Sequence, residues 1–319
     1  MKAIVVRQFG GPEVMKLEPQ PDPVPGPGQV LVAVKAAGVN PVETYVRSGN
    51  YGNLPALPYS PGADAAGLVE AVGPDVQSPK PGDRVYVVRA AGAYAEKVLA
   101  PSLFAFPLPA KTSFAQGAAM GVPYSTAHRA LFHKGGAKKG ETVLIHGASG
   151  GVGTAAIQLA KRAGLKVLGT GGTQAGRDLV KAQGADEALD HHDPAFAEKL
   201  KEITGGQGVD LILEMAAHLN LGKDLGLLAK FGRVVVVGSR GPVEINPRDL
   251  MTRDADIRAL TIFNAPPEDL VRINEDLVAG LAEGKLNPAI GQEFPLAQAP
   301  AAHQAVMAPG ARGKVVLIP

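Results

Sequence analysis

The first third of the chain carries short apolar runs separated by glycine and proline, a pattern typical of closely spaced β-strands. These runs cover residues 30–36, 67–73 and 83–88, with turn residues around them. Residues 1–7 alternate between apolar and polar positions like another strand, and a proline-rich connector follows at 18–28. Many short strands in succession predict a barrel-like β domain.

The pattern changes near Ser113, where short helices are predicted over 113–121 and 126–134. From Thr142 onward, strands and helices alternate. The candidate strands are 142–146, 166–170, 186–189, 209–214, 233–238 and 257–263, and the candidate helices include 175–183, 194–203 and 221–229. Six strands interleaved with helices predict a doubly wound parallel sheet in an α/β domain.

Two elements follow the predicted sheet. Residues 268–283 have the pattern of a further helix, and 313–318 form one more apolar strand. Because six strands already complete the sheet, we expect the last strand to return to the first domain.

A glycine cluster joins the first strand of the predicted sheet to its helix. Residues 142–153 read Thr-Val-Leu-Ile-His-Gly-Ala-Ser-Gly-Gly-Val-Gly. A helical pattern then follows, Gly164 stands where a helix C-cap would lie, and the next strand begins at Lys166. Strand, glycine turn and helix in this order form the phosphate cradle of a dinucleotide-binding unit, where backbone N–H groups at a helix N-terminus face the pyrophosphate. The element predicts a nicotinamide-dependent enzyme.

Composition narrows the protein class. The chain has 319 residues, 45% of them hydrophobic and 19% charged, which fits a globular protein of two domains. The formal net charge of +2 gives no overall drive toward nucleic acid or membrane surfaces. We find neither a run long enough to span a membrane nor a signal-peptide profile, so we expect a cytoplasmic protein without membrane partners. The absence of cysteine excludes disulfides, thiol catalysis and cysteine-ligated metals.

Several segments together resemble the zinc-free medium-chain dehydrogenases/reductases, and most of all the zeta-crystallin branch of the quinone oxidoreductases. The segments that carry the resemblance are Ala36–Tyr45, Pro58–Gly67, His146–Gly153, Gly169–Thr173, Val237–Gly241, Glu244–Asp249 and Gly313–Lys314. They run nearly end to end in the same order, so the resemblance is far more specific than the glycine turn.

The resemblance implies a GroES-like β-barrel catalytic domain and a Rossmann domain. We expect the catalytic domain over 1–124, the NADP-binding domain over 125–264, and a C-terminal segment, 265–319, that returns to the catalytic domain. It also implies these cofactor contacts, position by position: Tyr45, Thr126, Ser149, Gly150, Gly151, Val152, Gly153, Gly172, Thr173, Arg177, His191, Asn220, Val237, Gly238, Ser239, Arg240, Leu260, Thr261, Ile262 and Phe263. Many of these residues follow strands of the predicted sheet, as cofactor contacts do in open α/β sheets.

The residues argue against a metal. In zinc-dependent relatives the ligands occupy slots that here resemble Asn40, the segment 62–64 (Gly-Ala-Asp) and Val122. A catalytic zinc needs three protein ligands of thiolate, imidazole or carboxylate type. The adjacent His191 and His192 are expected to point to opposite faces of a strand. We therefore expect no metal.

The end of the second strand of the sheet indicates which nicotinamide is used. An NAD site places an acidic residue there, whereas residues 169–173 read Gly-Thr-Gly-Gly-Thr and Asp178 comes only later, in the helix. Arg177 can pair with a 2′-phosphate. The sequence predicts NADPH over NADH.

Without a Lewis acid, an acceptor that takes hydride readily fits best, and quinones do so. Asn40 and Tyr45 are the first candidates to hydrogen-bond the acceptor oxygen or the carboxamide. Tyr51 and Tyr59 are weaker candidates to orient a flat ring, and Glu43 is a candidate proton source. Transfer of one electron at a time and direct hydride transfer both stay open, as does reduction of an enal or enone double bond.

The sequence gives less support to binding partners other than a small molecule. Zeta-crystallin relatives are associated with AU-rich RNA, but Lys and Arg are scattered here and nearly balanced by acids. RNA binding and a purely structural, crystallin-like role are the remaining alternatives. The apolar edge at 257–263, with Ile257, Leu260, Ile262 and Phe263, predicts a homodimer or homotetramer.

Overall fold

The computed structural model describes residues 1–319, in which strands and helices are distributed along the whole chain. The strands are β1 (Lys2–Val6), β2 (Met15–Pro19), β3 (Gln29–Val39), β4 (Asp64–Val72), β5 (Arg84–Val87), β6 (Lys97–Pro101), β7 (Ala105–Pro107), β8 (Thr142–Ile145), β9 (Lys166–Thr170), β10 (Glu187–Leu189), β11 (Val209–Glu214), β12 (Leu228–Val236), β13 (Asp256–Ala259), β14 (Ile290–Pro295) and β15 (Lys314–Ile318). The helices are α1 (Pro41–Ser48), α2 (Phe114–Ala118), α3 (Ser125–His128), α4 (Gly151–Arg162), α5 (Gln174–Ala182), α6 (Phe196–Ile203), α7 (Ala217–Asp224), α8 (Pro247–Met251), α9 (Pro267–Ala282) and α10 (Ala299–Met307).

The chain divides into two compact units. Unit 1 comprises Met1–Pro123 and Glu268–Pro319, and unit 2 comprises Tyr124–Pro267. None of the helices combines the length with the apolar character that a membrane span requires.

Unit 1 is built on a seven-stranded sheet in the order β14-β15-β3-β4-β5-β7, with β6 also paired to β3. The long strand β3 organises it, since β4, β6 and β15 all pair with it in antiparallel fashion. Its apolar side chains, among them Val30, Val32 and Val39, are buried in the core of the unit. The expectation that the final strand returns to the first domain is confirmed, because Val316 of β15 pairs with Gly38 of β3.

Unit 2 is a six-stranded parallel sheet in the order β10-β9-β8-β11-β12-β13. Counted from its own first strand this is 3-2-1-4-5-6, the order of a dinucleotide-binding sheet. The predicted doubly wound parallel sheet is therefore confirmed. The order reverses between β8 and β11, and ligands bind outside the carboxyl ends of the strands at such a point.

Two predicted elements of unit 2 were misplaced. The helix predicted over 221–229 is α7, which ends at Asp224; a short 3₁₀ turn follows and β12 already begins at Leu228. The strand predicted over 257–263 is β13, which ends at Ala259 because its partner β12 ends at Val236. Residues Ile262–Asn264 form a 3₁₀ turn instead. Of the four apolar residues assigned to this edge, only Ile257 lies in the strand.

Candidate functional site

The glycine turn lies directly after β8, and α4 begins at Gly151. Gly147 has a φ of +58°, a left-handed conformation that glycine adopts without strain. A Cβ on Gly153 would stand 2.4 Å from the carbonyl oxygen of Gly147 and 2.5 Å from the Cα of Ala148. Only glycine therefore allows α4 to start so close to the turn.

The start of α4 has the features of a helix N-terminus that can bind an anion. Its N-cap, Gly150, provides no side chain to satisfy the first N–H groups of the helix. Those groups and the positive end of the helix dipole lie at the glycine turn, next to Ser149. The structure thus brings together the predicted pyrophosphate contacts Ser149, Gly150, Gly151, Val152 and Gly153.

A second group of predicted residues meets at the carboxyl end of β9. The hydroxyl of Thr173 caps α5 by accepting a hydrogen bond from the N–H of Gly176 at 3.1 Å. A Cβ on Gly172 would stand 2.9 Å from Nε2 of His192 and 3.0 Å from Nε2 of His191. Gly172, Thr173, Arg177 and His191 therefore lie around one small region of unit 2.

Arg177 is held by an acidic residue that the sequence analysis did not single out. Its Nη1 donates to Oδ2 of Asp190 at 2.8 Å and to the carbonyl oxygen of Gly171 at 3.0 Å. The backbone N–H of His192 and the charge of Arg177 lower the pKa of Asp190. A cavity of about 470 Å³ opens beside Arg177, Asp190 and His192. A guanidinium that is already fixed next to a cavity can receive a phosphate without first being ordered.

The expected geometry of the two adjacent histidines was wrong. His191 and His192 lie in the turn after β10 rather than in a strand, and their ring centroids are 4.3 Å apart. The opposite-face rule applies only to extended backbone, so the rings here lie side by side.

The remaining predicted contacts of unit 2 follow β11, β12 and β13. Nδ2 of Asn220 donates to Oε1 of Glu214 at 3.3 Å. Both Val237 and Gly238 donate their N–H groups to the carbonyl oxygen of Glu214. Ser239 and Arg240 follow β12, and Thr126 lies on α3. Leu260, Thr261, Ile262 and Phe263 follow β13.

In unit 1, a buried polar network surrounds Asn40, which precedes α1. Oδ1 of Asn40 accepts from the Lys314 ammonium, while Nδ2 donates to Oδ2 of Asp64 at 2.9 Å and to Oε1 of Glu43 at 3.2 Å. Oε2 of Glu43 accepts from the hydroxyl of Tyr94. Burial raises the pKa values of Glu43 and Asp64, and burial lowers that of Lys314. Both amide hydrogens of Asn40 are thus engaged within the protein, and its contact with an acceptor stays a prediction.

The three tyrosines assigned to the acceptor have different surroundings. Tyr45 lies half-buried on α1, and Tyr51 lies in the loop that follows α1. Tyr59 exchanges two backbone hydrogen bonds with Val6 of β1, and its buried hydroxyl has no hydrogen-bond partner. Burial raises the pKa of Tyr59 to about 12, so it stays protonated. The roles of all three in binding an acceptor remain predictions.

Comparison with known proteins decides the family. A guanaco (Lama guanicoe) quinone oxidoreductase is 49% identical over 321 aligned residues, which cover 100% of this chain and 97% of that protein. The human quinone oxidoreductase is 48% identical, with 100% and 98% covered. This chain belongs to the quinone oxidoreductase family. The resemblance drawn from the sequence segments is therefore confirmed.

Other comparisons agree with this quinone oxidoreductase fold. The family model described as an alcohol dehydrogenase GroES-like domain matches residues 26–110, and the one described as a zinc-binding dehydrogenase matches 151–277. A solved Escherichia coli quinone oxidoreductase complexed with NADPH superposes with a TM-score of 0.90 at 31% identity, and 100% of each chain is covered. The expected GroES-like and Rossmann architecture is confirmed.

The zinc named by one family model does not fit the residues of this quinone oxidoreductase. At the positions that resemble zinc-ligand slots, Asn40 offers an amide and Val122 an apolar side chain, and only Asp64 offers a common zinc ligand. The Lys314 ammonium also lies 3.6 Å from Oδ2 of Asp64 and would repel a cation there. These residues do not form a catalytic zinc site.

Sequence reasoning missed a cluster of His146, Glu214 and Asp224 behind the glycine turn. Nε2 of His146 lies 3.0 Å from Oδ1 of Asp224 and 3.7 Å from Oε2 of Glu214. All three residues are buried. Burial raises the pKa of Glu214 to about 7. Burial opposes the charge on His146, but the hydrogen bond and charge of Asp224 outweigh it and raise the pKa of His146.

We expect this cluster to make the stability of unit 2 depend on pH. The folded protein holds the Glu214 proton more tightly than the unfolded chain does, so this stabilisation is complete below the ordinary Glu214 pKa of 4.5 and is lost as the pH rises through about 7. In the wild type the free energy of unfolding should fall between pH 5 and 9. We expect Glu214→Gln to make this fall smaller by about 2 kcal/mol. Denaturant titrations across this pH range measure it, with Glu198→Gln on the exposed face of α6 as the control. Equal slopes in the variant and the wild type would contradict the assignment.

Proposed function

We propose that this chain catalyses the NADPH-dependent reduction of quinones without zinc. The observation that carries the proposal is the pairing of an uncapped α4 N-terminus after β8 with a fixed arginine, Arg177, after β9. These are the two groups that the pyrophosphate and the 2′-phosphate of NADPH require. The end-to-end identity with quinone oxidoreductases supports the acceptor class.

We assign the residues of unit 2 to binding and orienting the cofactor. Ser149, Gly150, Gly151 and Val152 hold the pyrophosphate through backbone N–H groups, and Gly153 keeps the turn against α4. Arg177 holds the 2′-phosphate, with Gly172, Thr173 and His191 on the adenosine side. The nicotinamide half is assigned to residues after the other strands: Thr126, Asn220, Val237, Gly238, Ser239, Arg240, Leu260, Thr261, Ile262 and Phe263.

Bound NADPH supplies a hydride, which together with one proton converts a quinone to its hydroquinone. The protein contributes alignment, and a proximity effect of this kind does not require a dedicated acid. We assign Tyr45 to the acceptor oxygen or the carboxamide, and Tyr51 and Tyr59 to orienting the ring. We assign Asn40 to the same reaction through α1, because it caps the N-terminus of the helix that carries Tyr45.

A cofactor-oxidation screen tests the proposal. Purified protein with NADPH is assayed against ortho-quinones, para-quinones and 2-alkenals, each with and without a metal chelator. We expect turnover of at least one quinone class, unchanged by chelator, and kcat/KM values for 2-alkenals at least tenfold lower. Turnover of 2-alkenals alone would favour an enal or enone reductase, and loss of activity with chelator would contradict zinc independence.

We further propose that the protein works in the cytoplasm as a homodimer or homotetramer. Strand β13 ends the parallel sheet and has a neighbouring strand on one side only, so its other edge offers backbone groups to a second copy. Light scattering at assay concentration checks this, and a monomer would contradict it.

A further inference from the structure

We propose that Lys314 is a positioning residue for the reductase reaction, its buried ammonium standing in unit 1 as a built-in cation that fixes Asn40 and the start of α1. The inference rests on the proposed function, since it concerns the same reaction.

Two of the residues at positions that resemble zinc-ligand slots, Asn40 and Asp64, lie beside the ammonium. It donates to Oδ1 of Asn40 and lies 3.6 Å from Oδ2 of Asp64. The other carboxylate oxygen of Asp64 accepts the backbone N–H of Val122 at 2.9 Å. The Lys314 and Asp64 side chains are only 4% and 1% exposed. The amide of Asn40 and the carboxylate of Asp64 therefore meet at a single positive charge supplied by the chain itself, and the backbone of Val122 holds that carboxylate.

The surrounding backbone leaves space for these groups and for little else. A Cβ on Gly38 would stand 2.9 Å from Cε of Lys314, and one on Gly121 would stand 2.1 Å from Oδ1 of Asp64. Lys314 is the first residue of β15, and its backbone N–H donates to the carbonyl oxygen of Ala289 at 2.8 Å. The pairing of β15 with β3 thus delivers the lysine to this point from the far end of the chain.

The positive charge has an electrostatic reason to be there. The amide of Asn40 lies between two buried carboxylates, those of Glu43 and Asp64. Two buried carboxylates are costly to ionise without a cation, and the ammonium supplies one positive charge beside them. It also gives Oδ1 of Asn40 a strong donor, which fixes the orientation of the amide.

Fixing Asn40 fixes the beginning of α1. The N–H of Asn40 donates to Oε2 of Glu43 at 2.8 Å, and the N–H of Glu43 donates to the carbonyl oxygen of Asn40 at 3.1 Å. Tyr45 follows two residues later on the same helix. Loss of the ammonium should therefore displace the helix that carries Tyr45, while the glycine turn, which belongs to unit 2, keeps its geometry.

The test compares Lys314→Ala and Lys314→Met with Lys35→Ala, an exposed lysine of β3. We expect kcat for quinone reduction to fall by about 100-fold in both Lys314 variants, while the dissociation constant for NADPH changes less than threefold. Propylammonium added to Lys314→Ala should restore kcat at least fivefold, and 1-propanol, which supplies similar volume without charge, should not.

The outcomes separate this inference from the proposed function. A wild-type protein without NADPH–quinone activity refutes the proposed function and this inference with it. An active wild type with unimpaired Lys314 variants, or equal rescue by propanol, overturns the inference alone. Lys314→Met keeps the side-chain volume, so it stays informative if Lys314→Ala fails to fold; melting temperature and NADPH binding report folding in each case.

Discussion

Replacing Arg177 by alanine is expected to lower kcat/KM for NADPH by about 100-fold, because charge-assisted contacts to a phosphate contribute about 1.5–3 kcal/mol and a carboxylate is also uncovered. Arg177 contacts Asp190 in the structure, so its removal uncovers that carboxylate at the proposed position of the 2′-phosphate. An uncovered carboxylate repels that phosphate but suits a ribose 2′-hydroxyl. The value for NADH should therefore stay the same or rise.

Two further variants isolate the cause. Arg177→Ala/Asp190→Ala should recover part of the NADPH activity, because the repelling carboxylate is gone as well. Lys181→Ala, on the same helix but paired with Glu187, should leave both cofactors unaffected. Steady-state kinetics with one quinone and both cofactors measures the effect. If Arg177→Ala lowered kcat/KM equally for NADPH and NADH, the assignment of Arg177 to the 2′-phosphate would be contradicted.

Replacing Gly153 by valine is expected to weaken NADPH binding by about 100-fold, since displacing the turn would remove two or more of the N–H contacts that we propose to the pyrophosphate. The added Cβ would overlap the backbone of Gly147 and Ala148, which cannot yield as a flexible side chain would. Such overpacking costs about 3 kcal/mol. The melting temperature should therefore also fall, by about 10 °C.

Calorimetric titration and thermal unfolding measure the two effects of this substitution. Gly226→Ala is the matched control, because a Cβ there meets nothing within 4 Å. It should leave the affinity for NADPH and the melting temperature close to the wild-type values. Unchanged NADPH affinity in folded Gly153→Val would contradict the role of the turn.

The parts of the fold with local signals were predictable from the sequence. The turn between β8 and α4 is formed by consecutive residues, so its pattern can be recognised in the sequence. Gly164, with a φ of +78°, ends the helix as expected. The doubly wound parallel sheet was predictable from the alternation of strands and helices and from the glycine turn that opens it. The GroES-like fold of the first domain depended on the family resemblance, because short strands alone do not fix their partners.

The polar networks were not predictable, because their members are far apart in the chain. Lys314 and Asn40 are 274 positions apart, and His146 and Asp224 are 78 apart. Asp190 was missed because the carboxylate was sought after the second strand, whereas the third strand supplies it beside Arg177. The predicted end of β13 was wrong because apolar residues such as Ile262 look like strand residues in the sequence. In the structure Ile262 is buried in a turn and is not paired in a strand.

The central claim is that unit 2 binds a reduced nicotinamide with a phosphorylated ribose, which then reduces a quinone. Titration calorimetry of the wild-type protein with NADPH and with NADH, followed by addition of quinone to the NADPH complex, tests it most directly. We expect NADPH to bind with a dissociation constant at least tenfold below that of NADH, and the bound cofactor to be oxidised when quinone is added. Folded protein that binds neither cofactor, or an NADPH complex that quinone leaves unoxidised, would contradict the account.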